Sequence, residues 1–308
     1  MILLYADGHF KRGYGHLYRL KTLRDNFLNN YDYLFLSNNK IQQDFYKKNS
    51  LNFINLGDYD YKKKYKLIIV DTKQKNIDFL KPLFNQCTRS IAIDTTLEWT
   101  SKFNCIVFPS FYIDDSIKYK LVNDNVYFGR EYSLIRKDKI DNPEYSDILI
   151  TFGGTDPNNL TKVVLNNIEK LSSKYKITSI LGPGFISEYD ELKRQFPKIN
   201  FVGPVNSTFD YIANSRLIIT AFGTTIEEIE FLNKPCIMCF NYQQDKEYYD
   251  KVIEHSINPK LWSNIGSYKN IKFNILLEEI ERLINICDIN KTIKKKPSAW
   301  NKILKHAI

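Results

Sequence analysis

The chain has 308 residues, 43% of them hydrophobic and 26% charged, with a formal net charge of +9. That length accommodates two domains with full cores, and the composition is that of an ordinary globular protein, not of a disordered or fibrous one. No apolar run reaches the roughly 18 residues of a membrane span, and the N-terminus lacks the basic flank and small-residue cleavage site of a secretory signal, so no integral membrane segment and a cytoplasmic location are expected. The cysteines Cys87, Cys105, Cys236, Cys239 and Cys287 are odd in number and mostly embedded in apolar runs, which predicts buried thiols. Cys236 and Cys239 form a C-x-x-C, but no second Cys/His pair accompanies it, so no metal site is expected. The positive charge is carried by dispersed lysines, densest at 62–64 and 294–296. It favours an anionic partner, which charge alone leaves open among nucleic acid, a membrane surface and a phosphorylated small molecule.

Residues 1–6 form a short apolar strand, followed by a loop containing Gly13 and Gly15 and then by Leu17, Leu20, Leu23 and Phe27 at helical spacing. Strands are predicted at 31–36, 51–54, 65–70, 90–93 and 104–108, with helices at 40–48 and 75–84. Such alternation implies βαβ units and a parallel sheet. Three strands end in a carboxylate, at Asp7, Asp71 and Asp94, although aspartate is also common there for turn reasons. A polar break at 137–145, with Asp141-Asn142-Pro143, marks a linker. The alternation then restarts, with strands at 148–152, 176–181, 200–202, 217–220 and 236–240 and helices at 158–171, 188–194, 209–214 and 224–232. Helices at 273–287 and 299–306 are expected to pack back across both halves. The division is therefore 1–142, 143–290 and a helical tail at 291–308, an α/β protein with two Rossmann-like domains whose parallel sheets face each other across a cleft that holds the active site.

Loops at the carboxyl ends of parallel strands are where ligands bind in such folds. Gly13 and Gly15 permit backbone approach there, and His16 falls in the first helical turn. In the second half, Thr151-Phe152-Gly153-Gly154-Thr155-Asp156-Pro157 closes a strand and opens a helix. Asp156 is suited to the N-cap with Pro157 as the first helical residue, while Gly153 and Gly154 leave N–H groups open to an anion such as a diphosphate; a ligand-free capped turn is the alternative. A similar loop precedes Gly223-Thr224-Thr225-Ile226-Glu227-Glu228. Thr224 with Glu227, or Thr225 with Glu228, forms a capping box, and the remaining glutamate is spare to accept ribose hydroxyls. Leu181-Gly182-Pro183-Gly184 adds a third glycine turn. Neither a G-x-x-x-x-G-K-[ST] loop nor a complete dinucleotide fingerprint, G-x-S-x-G elbow or H-E-x-x-H pair occurs. A base-reading helix or an aromatic-interleaved basic sheet is also lacking, which argues against nucleic acid as partner.

Asp7-x5-Gly13-Tyr14-Gly15-His16-x2-Arg19, Phe128-Gly129-Arg130-Glu131-Tyr132-Ser133-Leu134-Ile135-Arg136, and Gly153-Gly154-Thr155-Asp156-x2-Asn159-Leu160-Thr161 occur in this order. The series resembles the UDP-sugar hydrolase of pseudaminic acid biosynthesis and its spore-coat polysaccharide relatives, over most of residues 1 to 255. That family is similar in turn to GT-B glycosyltransferases. The resemblance implies metal-independent cleavage of UDP-2,4-diacetamido-2,4,6-trideoxy-β-L-altrose by water, without a cofactor, giving UDP and free sugar. It makes His16 the catalytic residue and sets Gly153 to Asp156 against the diphosphate. Glu228 corresponds to the ribose-binding glutamate and Tyr132 to the hinge tyrosine, and backbone groups at 202–205 would hold uracil. Where those hydrolases carry Asp-His-Tyr this chain has Asp71-Thr72-Lys73, and where they carry paired aspartates it has Asp94-Thr95, so the sugar half departs more than the nucleotide half.

Independently of the resemblance, the helix dipole at an N-terminus favours a neutral imidazole, the form a general base needs. The expected machinery is therefore His16 and Asp7 for catalysis, with Gly13, Gly15, Arg19, Asp94, Tyr132, Gly153, Gly154, Thr155, Asp156, Gly223, Thr224, Thr225 and Glu228 binding a UDP-sugar. The rival readings are a GT-B glycosyltransferase that passes the sugar to an acceptor hydroxyl, and a nucleotide-sugar-binding protein without turnover.

Overall fold

The computed structural model describes the chain except residues 9–13, 61, 96, 112–124, 136–142, 186–187, 206, 244 and 287–298. Gly13, most of the expected linker, Cys287 and the 294–296 lysine run therefore lie outside the described residues. The chain divides into two compact units, Met1–Ile135 with Lys296–Ile308, and Arg136–Lys295.

In the first unit seven strands of the described residues form one parallel sheet. They are β1 (Ile2–Ala6), β2 (Tyr33–Ser37), β3 (Phe53–Asn55), β4 (Tyr65–Asp71), β5 (Cys87–Ile93), β6 (Cys105–Phe108) and β7 (Val126–Phe128), in the order β3-β2-β1-β4-β5-β6-β7. The central strands read as continuous apolar runs because both faces are covered. Ile2, Leu4, Leu67, Ile69, Ile91 and Ile93 face a cluster with Leu17, Leu20 and Leu23 of α1 (Gly15–Phe27) and Phe45 and Tyr46 of α2 (Lys40–Lys48). Leu3, Tyr5, Ile68, Val70 and Ala92 face the other way, against Leu80, Leu83 and Trp99. One residue of register therefore decides which face each side chain joins.

The second unit repeats the plan with β8 (Ser146–Thr151), β9 (Ile177–Ile180), β10 (Asn200–Val202), β11 (Ser215–Ala221), β12 (Cys236–Phe240) and β13 (Trp262–Ser267), ordered β10-β9-β8-β11-β12-β13. Every described pairing in both sheets is parallel. The carboxyl ends of β1, β4 and β5 in one unit, and of β8 and β11 in the other, carry the loops singled out from sequence. Cys236 and Cys239 are buried in β12 as expected, whereas Cys87 and Cys105 are only half-buried. Among the described residues no helix is long and apolar enough to cross a membrane.

Several elements differ from expectation. The helix expected over 75–84 is a 3₁₀ turn (Asp78–Leu80) followed by a single turn, α3 (Lys81–Phe84). Pro82 explains this, since proline is accommodated only in a first helical turn, here as the second residue of a helix that starts at Lys81. Strands β7 and β13 are not among the expected strands, and neither presents a continuous buried apolar run. β7 has no buried residue, and β13 buries only Trp262 and Ile265 around polar positions and Gly266. The helix Asp245–His255 was likewise not expected. At the end of the chain, Trp300–Ala307 is helical and joins the first unit's core. The Trp300 indole is fully buried, its Nε1 donates to the Tyr132 carbonyl at 2.8 Å, and the Ala299 N–H donates to the Glu131 carbonyl at 3.0 Å. Trp300→Ala is expected to lower stability by about 3–5 kcal/mol in chemical denaturation, because it empties an indole-sized volume and strands that carbonyl.

Candidate functional site

In the first unit the site is organised around Asp71, the last residue of β4, whose side chain is fully buried. Its carboxylate receives Arg19 as a fork, Nε to Oδ2 at 2.7 Å and Nη2 to Oδ1 at 2.6 Å. His16 Nδ1 stands 2.6 Å from the same Oδ1. Arg19 and His16 can meet one carboxylate because they lie three residues apart on α1, on one helical face. An ionised Asp71 only accepts, so the short contact places the imidazole proton on Nδ1, and Arg19 Nη2, 3.0 Å from that nitrogen, directs its proton to Asp71 instead. The lone pair of His16 is then on Nε2, the arrangement of an oriented general base.

Burial opposes ionisation of Asp71, but the Arg19 guanidinium and then His16 outweigh it and hold the carboxyl below its usual 3.8. Arg19 in turn is pushed further up by Asp71 and Asp94 against the effect of its own burial. From sequence, Asp71 stands out as one of three strand-end aspartates and as the start of Asp71-Thr72-Lys73, but not as the partner of His16. The signal available was the shared spacing of His16 and Arg19, which calls for one anion opposite both.

Asp94 follows β5 with its backbone in the left-handed region, at φ 53°, and donates its N–H to the Val107 carbonyl at 3.0 Å. Its Oδ2 contacts Arg19 Nη1 and Nη2, each at 3.2 Å, and Lys73 Nζ at 3.2 Å. Asp7 points elsewhere. It is buried, its Oδ1 accepts from Gln74 Nε2 at 2.6 Å, and its N–H continues the β1–β4 ladder to the Asp71 carbonyl at 2.9 Å. Tyr132 makes ring contact with Tyr127 and accepts from Trp300 through its carbonyl, with no hydrogen bond to the His16 cluster. His16, Arg19 and Asp94 are thus brought together, joined by Asp71 and Lys73, while Asp7 and Tyr132 have partners of their own.

In the second unit the turn after β8 is more contorted than expected. Gly153 has φ +80°, a conformation a side chain disfavours, and Asp156 and Asn159 are also left-handed at 37° and 53°. Asp156 is therefore not the N-cap, and Pro157 does not begin the helix. The helix α4 (Leu160–Ile168) starts one turn later, and the buried Asp156 carboxylate reaches forward to the N–H groups of Leu160 and Thr161, both at 2.8 Å. Burial raises the Asp156 carboxyl despite those bonds. The positive end of α4 is thus satisfied internally, and any anion binding by Gly153, Gly154 and Thr155 falls to the loop backbone. That loop lies directly on the next glycine turn. Gly184 N–H donates to the Gly154 carbonyl at 2.8 Å, and a Cβ on Gly182 would come within 2.5 Å of the Gly154 Cα.

The other loop behaves in the opposite way. The helix α7 (Thr225–Leu232), which follows α5 (Tyr189–Gln195) and α6 (Phe209–Ala213), has no side-chain cap at Thr224, so neither expected capping box forms. Gly223 and Thr224 are exposed, and a Cβ on Gly223 would meet nothing within 4 Å. Glu228, one turn in, accepts from Thr208 Oγ1 at 2.6 Å, which ties α7 to the segment after β10. An uncapped helix start beside open space offers N–H groups and a partial positive charge to an anion. Among the described residues no group of three or more His, Cys, Asp or Glu side chains is placed to hold a metal ion.

Two parallel sheets of seven and six strands, each with helices and with loops at the carboxyl ends, have counterparts among solved structures. The structure matches MurG of Acinetobacter baumannii with a TM-score of 0.62 at 9% identity, covering 99% of this chain and 98% of that one. It matches the UDP-GlcNAc 2-epimerase of Methanocaldococcus jannaschii, in complex with UDP-GlcNAc and UDP, with a TM-score of 0.59 at 14% identity and coverages of 99% and 98%. The fold is GT-B-like. At these identities the likeness is one of fold alone. By sequence the chain is 28% identical over 294 residues to an uncharacterized protein of Methanocaldococcus jannaschii, covering 84% of this chain and 60% of the relative's length. No protein-family model matches.

Asp71→Asn is expected to destabilise the protein by about 3–5 kcal/mol near neutral pH, since it leaves the Arg19 cation without its buried counter-charge. Because the folded-state pKa of Asp71 is depressed, its contribution is complete above the unfolded value of 3.8 and disappears as pH falls through the lower folded value. Unfolding curves of wild type and variant are therefore expected to stay apart at pH 5–7 and to converge only in strong acid.

Proposed function

We propose that the protein hydrolyses a UDP-activated amino- or deoxy-sugar to UDP and free sugar. The observation that carries this reading is the oriented His16, whose Nδ1 is committed to Asp71 and whose Nε2 is thereby the basic nitrogen. In this reading Nε2 takes a proton from water as the water oxygen forms a bond to the anomeric carbon. The bond from that carbon to the diphosphate oxygen breaks, and UDP leaves with the electron pair. Arg19 and Asp71 hold the imidazole in place, and Asp71 stabilises the imidazolium that forms. The loop N–H groups of Gly153 to Thr155 and the open start of α7 at Gly223, Thr224 and Thr225 suit the diphosphate, and Glu228 suits the ribose hydroxyls. The epimerase with the same fold, solved with UDP-GlcNAc and UDP, supports a nucleotide-sugar as the ligand class. The altrose-configured diacetamido sugar follows from the resemblance of the His16 and Gly153 motifs and is part of the proposal.

Transfer to an acceptor hydroxyl would use the same base and leaving group, and the GT-B-like fold favours it as the second reading. Incubation with a panel of UDP-sugars and no acceptor distinguishes the two. UDP and free sugar are expected to appear in equal amounts, with kcat lowered about 10²–10⁴-fold in His16→Ala while UDP affinity changes little. Release of UDP only after an acceptor is added would establish transfer instead, and a nucleotide-sugar that binds and persists would establish a binding protein.

A further inference from the structure

Asp94 is used on one side only. Its Oδ2 takes both Arg19 nitrogens and Lys73 Nζ, whereas among the described residues no donor reaches Oδ1. The side chain of Asp94 is 23% exposed and that of Lys73 60% exposed, so both reach the surface of the His16 cluster. Lys73 has three N–H donors, and Asp94 is its ion-pair partner among the described residues. An ammonium with spare donors therefore stands next to a carboxylate oxygen with a spare lone pair.

The pair is rigid on the Asp94 side. The left-handed backbone at Asp94 is held by its N–H to Val107, and its carboxylate is clamped by the same guanidinium that grips Asp71. A continuous series of charge contacts runs Lys73–Asp94–Arg19–Asp71–His16. Any group read by Lys73 and Asp94 is thus registered against the base through one arginine.

We propose that Lys73 and Asp94 together read one hydroxyl group of the sugar, a specificity-determining contact that rests on the nucleotide-sugar reading of this site. The hydroxyl oxygen accepts from Lys73 Nζ and its proton goes to Asp94 Oδ1. A hydroxyl is the smallest substituent that accepts and donates at one atom, which is what adjacent donor and acceptor groups require. A carboxylate at that position would stand against Asp94 Oδ1 with like charge and no proton to give. A deoxy carbon would leave one ammonium N–H and the carboxylate Oδ1 desolvated without a hydrogen-bond partner.

The test compares UDP-glucose, UDP-galactose and UDP-GlcNAc with their monodeoxy derivatives at each ring hydroxyl, using the full chain, wild type and Lys73→Met and Lys73→Arg variants. Both kcat/KM for UDP release and the dissociation constant by calorimetry are read as parent-to-deoxy ratios. Wild type is expected to prefer the hydroxylated parent at one ring position by at least about tenfold, Lys73→Met to bring that ratio to within about threefold of one, and Lys73→Arg, which keeps the donors, to retain most of it. A wild type that distinguishes no hydroxyl, or a ratio unchanged in Lys73→Met, overturns the proposal. If the binding ratio behaves as expected but no UDP is released from any of these sugars, the hydrolase reading fails and the assignment of the pair stands.

Discussion

The fork between Arg19 and Asp71 is the contact on which the side-chain cluster at the carboxyl ends of β4 and β5 depends. Asp71 ends a central strand and is wholly buried, so its charge is tolerable only beside a cation. Arg19 supplies that cation from the second turn of α1 and spends its remaining edge on Asp94 at the end of β5. One guanidinium therefore joins a helix and two strand ends. His16, one turn earlier on the same helix, is oriented because its partner carboxylate is already fixed. The orientation of the His16 ring is thus set by the ion pair between Arg19 and Asp71.

The second unit solves a different problem with the same topology. Two loops leave the carboxyl ends of neighbouring strands β8 and β11 and both lead into helices, yet one helix start is closed and the other open. Asp156 closes the first by folding back onto Leu160 and Thr161. The second, after Gly223, keeps its N-terminal N–H groups clear of any side-chain cap. Glycines also act differently at the two places. Gly182 lets one turn lie on the backbone of another, where a side chain has no room, while Gly223 leaves space that no protein atom fills.

Much of this architecture was legible from pattern alone, and the exceptions have specific causes. The strand 236–240 reads clearly because both faces are buried and every position is apolar, and 65–70 because a buried apolar run follows its one exposed lysine, Lys66. The edge strand β13 does not, because a strand covered on few positions tolerates Ser263, Asn264, Gly266 and Ser267. The capping box at Thr224 and Thr225 was a correct reading of residue spacing but a wrong reading of structure. Glu228 instead meets Thr208, a residue twenty positions earlier that sequence spacing does not bring near. Similarly, Asp156 was rightly read as serving a helix start, but three left-handed residues let it act from further back than a first-turn cap.

The sequence by itself determined the layered α/β plan, the repetition of that plan in two units, and the placement of His16, Arg19 and the glycine loops at strand ends. These follow from periodicity and from glycine and proline chemistry, which act over a few neighbouring residues. Only the tertiary structure decided that Asp71 is the partner of His16, that Asp7 turns to Gln74 instead, and that Lys73 joins Asp94. Each of those pairs is separated by twenty or more residues in the chain, and which carboxylate meets which cation depends on the order β1-β4-β5 in the sheet, where non-consecutive strands become neighbours. Strand order arises from the packing of whole faces, and so the identity of the carboxylate that meets His16 is a property of the fold rather than of any local motif.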